Sequence, residues 1–149
     1  MRAGMSTHFY EPAAGHGLPH NPFNAIVAPR PIGWVGTVSD AGVHNLAPYS
    51  FFNAFNYVPP IVGFCSVDDK DSLKNVREVP EFSWNLATWQ LREQMNATSA
   101  GLDHDTSEFE EADIEMAEPR LIRPKLVAAS PVKFECRVTQ INQLKTASG

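Results

Sequence analysis

Apolar residues in this chain come in runs of strand length, and proline keeps interrupting them. Twelve prolines among 149 residues fall mostly between these runs. Each removes a backbone donor and fixes φ, so a long helix cannot pass through such positions. The clearest run is Val132 to Val138. There Val132, Phe134, Cys136 and Val138 alternate with Lys133, Glu135, Arg137 and Thr139. Alternation of period two gives a strand one buried and one wet face. Ile141 and Leu144 do not continue the pattern, which marks a bulge or the strand's end. The expectation is a fold that is mainly β with a few short helices.

Other elements follow from the same reading. The opening through Phe23 is rich in Pro, Gly and His and reads as an irregular arm, with the folded domain expected over 21–149 after an arm over 1–20. Pro31 to Ser39 is a strand, Asp40-Ala41-Gly42 a turn, and Val43 to Ala47 the return. Ile61 to Val67 is nearly all apolar, which suits a strand buried on both faces. Asp71 or Ser72 is placed to cap a helix over Leu73 to Glu78, and Pro80 stops it. Phe82 to Leu86 is a further strand. Thr88 is placed to cap a helix to about Ser99, ended by Gly101. Ser107 and Glu110 have the spacing of a capping box.

Composition narrows the function. A formal net charge of -5 argues against non-specific nucleic-acid binding, which needs a basic face. The acidic cluster Glu108–Glu111 reads as a solvated helix face. Cys65 and Cys136 are too far apart in sequence to form a disulfide framework or zinc site, and read as two buried free thiols in a reducing compartment. No apolar run is long enough to span a membrane and no signal peptide is evident, so a cytoplasmic protein is expected. His16 and His20 flank glycine and proline rather than sharing a helix face, and no metal site is read. There is no G-x-G-x-x-G, P-loop or G-x-S-x-G.

Three segments hold chemistry-bearing residues. Gly33 and Gly36 interrupt the first strand, which marks a bulge or a close approach. Asn45 to Asn53 mixes amide, hydroxyl and aromatic groups without clear periodicity; its simplest reading is a polar loop packed by Phe51 and Phe52. Lys70-Asp71-Ser72-Leu73-Lys74-Asn75 joins an apolar strand to a helix start, where free N–H groups and the positive dipole end favour an anion. Ser72 adds a hydroxyl donor and Lys70 a charge, while Asp71 is assigned to capping or to a partner Lys or Arg. Taken alone, this segment reads better as an ordinary capped helix. Arg30, between two prolines, sits in an extended segment.

From Asn21 to Val138 the chain resembles the flavin reductase-like, FMN-binding split-barrel family. The residues that carry this are Ala28-Pro29-Arg30-Pro31-Ile32-Gly33-Trp34-Val35, Asn45-Leu46-Ala47-Pro48-Tyr49-Ser50-Phe51-Phe52-Asn53, Pro59-Pro60-Ile61-Val62, Lys70-Asp71-Ser72 with Asn75, Phe82-Ser83-Trp84-Asn85-Leu86, Ser107-Glu108-Phe109 and Phe134-Glu135-Cys136. Each is weak alone; their order and spacing are specific. The resemblance implies an FMN-binding split β-barrel of Greek-key type and a homodimer with FMN near the subunit interface. It implies that Asn45, Ala47, Pro48, Tyr49 and Ser50 line the flavin, that Lys70, Asp71 and Ser72 lie at its phosphate, and that Arg30, Thr98 and Ser99 flank the same pocket. The implied chemistry is reduction of flavin by NADH or NADPH, often for a partner monooxygenase. The rival readings are a flavoredoxin-like electron carrier and a flavin-free ligand-binding dimer module. Hydride transfer to flavin needs no protein acid or base, so no catalytic proton donor is named. The family's pattern continues for several strands beyond Val138, and a barrel cut short at its C-terminus is expected.

Overall fold

The computed structural model describes residues 7–146. The chain divides into two compact units, Met1–Arg30 and Pro31–Gly149. In the first, a 3-10 turn covers Pro12–Ala14 and a short helix, α1, covers Pro22–Ile26. The Asn21 side chain accepts from the Phe23 N–H and caps α1. Proline at the first helical position suits that start, because its missing N–H would be unsatisfied there anyway.

The second unit is built on a four-stranded antiparallel sheet. Its strands are β1 (Gly33–Val38), β2 (His44–Tyr49), β5 (Glu81–Asn85) and β8 (Lys133–Arg137). They lie side by side in the order β2, β1, β5, β8. β1 is central and buried at every residue. Its alternate side chains enter two different cores. Trp34 packs with Leu46, Leu91, Phe109, Ile114 and Val127, whereas Val35 packs with Tyr49, Val76 and Phe82. Both faces of the sheet are therefore covered, which is why the run loses the polar alternation of a half-wet strand.

Gly33 and Gly36 lie in unbroken register with β2, so neither marks a bulge. Gly36 is a close-approach position instead. A Cβ there would collide with Ser83 Oγ and sit 2.9 Å from the Lys125 carbonyl oxygen. The turn at Asp40-Ala41-Gly42 forms as expected, with Gly42 at φ +91°.

The segment expected as a polar loop is mostly strand. β2 reaches Tyr49, the chain bends at Ser50 and Phe51, and β3 (Phe52–Tyr57) begins at once. Among the described residues β3 pairs only with β4 (Pro60–Phe64), in a ribbon with an irregularity between Ala54 and Asn56. The expectation of a strand buried on both faces over 61–67 fails here. Strand pairing ends at Phe64, and Ile61 is 44% and Val67 54% exposed. β6 (Met116–Ala117) and β7 (Leu126–Val127) form a second small ribbon.

Helices are short, as expected. α2 (Asp71–Glu78) stops before Pro80, and a 3-10 turn at Trp89–Leu91 leads into α3 (Arg92–Ala97). α4 covers Glu108–Glu111. Thr88 and Ser107 occupy the cap positions expected of them and Lys70 takes the one expected of Asp71 or Ser72, but none of the three side chains accepts a capping hydrogen bond. β8 covers Lys133–Arg137, inside the alternating run, but the expected buried face is only partly realised: Val132 and Phe134 are 44% and 43% exposed, while Cys136 is half-buried. Among the described residues no helix is long and apolar enough to cross a membrane, and no His, Cys, Asp and Glu cluster could hold a metal.

Candidate functional site

A cleft of about 280 Å³ opens between the outer strand of the sheet, the start of α2 and the segment after α3. It is lined by Asn45, Ala47, Pro48, Tyr49, Asp69, Lys70, Asp71, Ser72, Thr98, Ser99, Ala100, Gly101, Leu102 and Glu108. The three segments are far apart in sequence. β2 contributes Asn45, Ala47 and Tyr49 from the face that α2 covers, together with Pro48 between them.

α2 supplies the polar end. Its cap residue Lys70 is extended, and its carbonyl accepts from the N–H groups of Leu73 and Lys74. With no side-chain cap, the first-turn N–H groups of Asp71 and Ser72 have no partner within the helix. That is the arrangement in which a helix start favours an anion. No salt bridge among the described residues engages Lys70. Asp71 is held by Lys74 at 3.4 Å and by His104 Nδ1 at 2.6 Å. Its charge is thus met by a lysine partner, as expected, and by a histidine that lies 33 positions away. Asp69 pairs with Arg77 at 2.9 Å.

Behind this wall runs a buried polar network. Asn45 donates from Nδ2 to Glu108 Oε1 at 2.8 Å, and the Leu46 N–H donates to Glu108 Oε2 at 3.0 Å. Asn45 Oδ1 accepts from Ser72 Oγ at 2.8 Å and from Thr37 Oγ1 at 3.2 Å. Thr37 in turn accepts from Asn75 Nδ2 at 3.0 Å. Asn45, Thr37, Ser72, Asn75 and Glu108 are all buried. Burial pushes the Glu108 carboxyl above the ordinary carboxylate value; the Leu46 N–H and the Asn45 amide oppose this, and Asp71 adds to it. Burial likewise raises the Tyr49 phenol.

The floor is held from the other core. Trp34 Nε1 donates to Thr98 Oγ1 at 3.0 Å, and Thr98 Oγ1 donates to the Met95 carbonyl at 2.8 Å. Ser99 closes the end of α3 by donating to the Asn96 carbonyl.

Most of the residues singled out in the sequence therefore meet: Asn45, Ala47, Pro48, Tyr49, Lys70, Asp71, Ser72, Thr98 and Ser99 share one cleft. Ser50 sits one residue beyond β2, at the bend, and does not line it. Arg30 belongs to the first unit, where its guanidinium donates to the Asn24 carbonyl at 2.8 Å and to the Val27 carbonyl. Ser72 lines the cleft, but its hydroxyl proton is directed at Asn45. Glu108 departs from expectation. It is no part of a solvated face: it is 6% exposed and pairs with the outer edge of β2. The apolar Phe109 beside it, buried in the Trp34 core, is the sequence signal that the start of α4 turns inward. The expectation of two buried thiols also changes, since Cys65 is exposed while Cys136 is half-buried; both are free.

Residues 27–148 match the flavin reductase like domain family. An uncharacterized protein of Aquifex aeolicus is 36% identical over 118 residues, which are 76% of this chain and 60% of that protein. One from Deinococcus radiodurans is 34% identical over 143 residues, covering 90% of this chain and 63% of that protein. This chain thus spans about three-fifths of the length of those relatives. Among solved structures, nitrilotriacetate monooxygenase component B from Bacillus cereus superposes with a TM-score of 0.81 at 24% identity, covering 97% of this chain and 74% of that one. Pseudomonas fluorescens 2-nitrobenzoate 2-nitroreductase gives a TM-score of 0.73 at 27% identity, covering 88% and 64%. A flavin reductase with a split barrel domain from Shewanella frigidimarina, at a TM-score of 0.73 and 23% identity over 77% of this chain and 58% of that one, shares the fold. The match over most of its length places the chain in the flavin reductase-like family, with the split-barrel fold.

Proposed function

We propose that the chain binds FMN in the β2–α2 cleft and serves as an NAD(P)H-dependent flavin reductase that supplies reduced flavin or electrons to a partner. The observation that carries this is the convergence of the β2 residues and the uncapped start of α2 on one cleft. The donor set fits the cofactor. The first-turn N–H groups and Lys70 suit a phosphate. The Ala47–Tyr49 backbone and side chains give an apolar wall beside it, as ligand sites require. A homodimer and a monooxygenase partner belong to the same proposal.

Bound FMN would supply the hydride acceptor; the chain's part is to place and shield it. Lys70 and the first turn of α2 would fix the phosphate. Tyr49, Ala47 and Pro48 would exclude water from one side of the ring system. The Asp71–His104–Lys74 cluster and the Asp69–Arg77 pair would keep the two carboxylates beside the helix start from repelling the phosphate.

The test is a visible spectrum of purified protein with added FMN, followed by NAD(P)H oxidation with excess free FMN. Flavin bands that shift on binding, with catalytic turnover, support the proposal. Consumption limited to one equivalent per bound flavin moves the reading to an electron carrier. No spectral change on adding FMN overturns it.

A further inference from the structure

Two donors face the Glu108 carboxylate: the Asn45 amide N–H and the Leu46 backbone N–H. A carboxylate only accepts. The Asn45 side chain therefore cannot turn over without aiming its oxygen at that charge. With its nitrogen held by Glu108, its oxygen faces α2 and takes the protons of Ser72 and Thr37. Thr37, giving its proton to Asn45, is left to accept from Asn75. Every donor in this chain of bonds points one way, and the direction is set at Glu108.

We infer that Glu108 is a positioning residue for the cleft: its carboxylate orients Asn45, and through Asn45 commits the Ser72 hydroxyl proton inward. Ser72 then offers the cleft a lone pair rather than a donor. The anion-binding donors at that end are left to be backbone N–H groups and Lys70. The inference rests on the proposed flavin site for its ligand, but the hydrogen-bond polarity it describes stands on the buried network alone. The plainer alternative is that Glu108 merely packs α4 against the edge of β2.

Exchanging amide and carboxylate separates the two. Glu108→Gln keeps shape but cannot accept from both donors: its amide N–H meets either Asn45 or the Leu46 N–H head-on. Asn45→Asp sets two carboxylates against each other. The double variant, Asn45→Asp with Glu108→Gln, restores every bond. The new amide at position 108 donates to the new carboxylate at position 45 and still accepts from the Leu46 N–H. That carboxylate, in turn, still accepts from Ser72 and Thr37. Formal charge is unchanged. The four proteins, wild type included, are compared by urea unfolding and by fluorescence titration with riboflavin and with FMN. Each single variant is expected to lower the unfolding midpoint and to weaken riboflavin about tenfold. The double variant should recover both, with FMN recovering less than riboflavin because the negative charge now sits nearer the phosphate end. A double variant no more stable than the singles overturns the inference. So does one that regains stability while riboflavin binding stays as weak as in Glu108→Gln. If wild type binds neither flavin, the proposed function falls and the unfolding cycle alone decides the orientation.

Discussion

Trp34 and Thr98 stand 64 positions apart and are joined by one buried hydrogen bond, indole Nε1 to hydroxyl oxygen at 3.0 Å. Both side chains are essentially sealed from solvent. The bond ties the floor of the cleft to the central strand of the sheet. Thr98→Val keeps the volume and removes the acceptor, leaving the indole N–H buried and unpaired. A loss of about 1–3 kcal/mol in urea unfolding is expected, the usual cost of such an orphaned donor. Thr98→Ser should cost much less. Equal midpoints for Thr98→Val and wild type would remove this bond from the account.

Gly36 sits where β1 is crossed most closely. Gly36→Ala puts a methyl group onto Ser83 Oγ and 2.9 Å from the Lys125 carbonyl. The hydroxyl can rotate aside only by giving up its 2.8 Å bond to that same carbonyl. Overpacking of this kind costs about 1–3 kcal/mol. Thermal unfolding should show it, whereas Gly42→Asn, in the exposed turn, should be mild because Asn tolerates positive φ.

Lys70 is the cation at the proposed phosphate end. Lys70→Glu should weaken FMN by roughly tenfold and leave riboflavin, which has no phosphate, almost unchanged. Ser72→Asp behaves differently given the bond to Asn45. A buried carboxylate against Asn45 Oδ1 should weaken both flavins alike. Fluorescence titration distinguishes these patterns; equal losses for both ligands in Lys70→Glu would move the phosphate elsewhere.

The two thiols should react at very different rates. Cys65 is exposed, whereas burial pushes the Cys136 thiol up to about 11. The thiolate is the reactive form. At neutral pH a thiol reagent should label one cysteine rapidly and the second only on unfolding, with Cys65→Ser abolishing the fast phase.

Glu135 links β8 to the loop before β7. Burial raises its carboxyl, but the N–H groups of Arg120, Leu121 and Ile122 outweigh burial and hold it below its ordinary value of 4.5. A carboxyl lowered by folding contributes stability above its unfolded pKa and loses it as pH falls through the folded value. Glu135→Gln should therefore lower the urea midpoint at pH 7, and the gap to wild type should narrow as pH falls below 4.5 and through the folded value. A gap that persists undiminished in acid would assign the effect to packing.

Much of the fold is legible in the sequence because its signals are local. The alternation ending at Val138, the turn at Asp40-Ala41-Gly42 and the stop before Pro80 each depend on residues within a few positions. The β3–β4 ribbon departs from its local signal because a short apolar run is the same whether or not another layer covers it. Ile61 and Val67 are exposed, and no local pattern records which neighbours a strand will meet. The cap of α2 falls at Lys70, ahead of the expected Asp71 or Ser72, and Asp71 pairs with Lys74 and His104.

By itself the sequence determined a β-rich chain, short helices and the ordered motifs of the flavin reductase-like family, because strand period, proline breaks and motif spacing are all written along the chain. Only the tertiary structure decided that nine of the singled-out residues share one cleft, and that Glu108 is not a surface acid. Which donors a buried carboxylate meets depends on the fold bringing β2 and α4 together across 62 positions. Burial then makes the partners that Glu108 meets there, Asn45 and the Leu46 N–H, decide how the network is arranged.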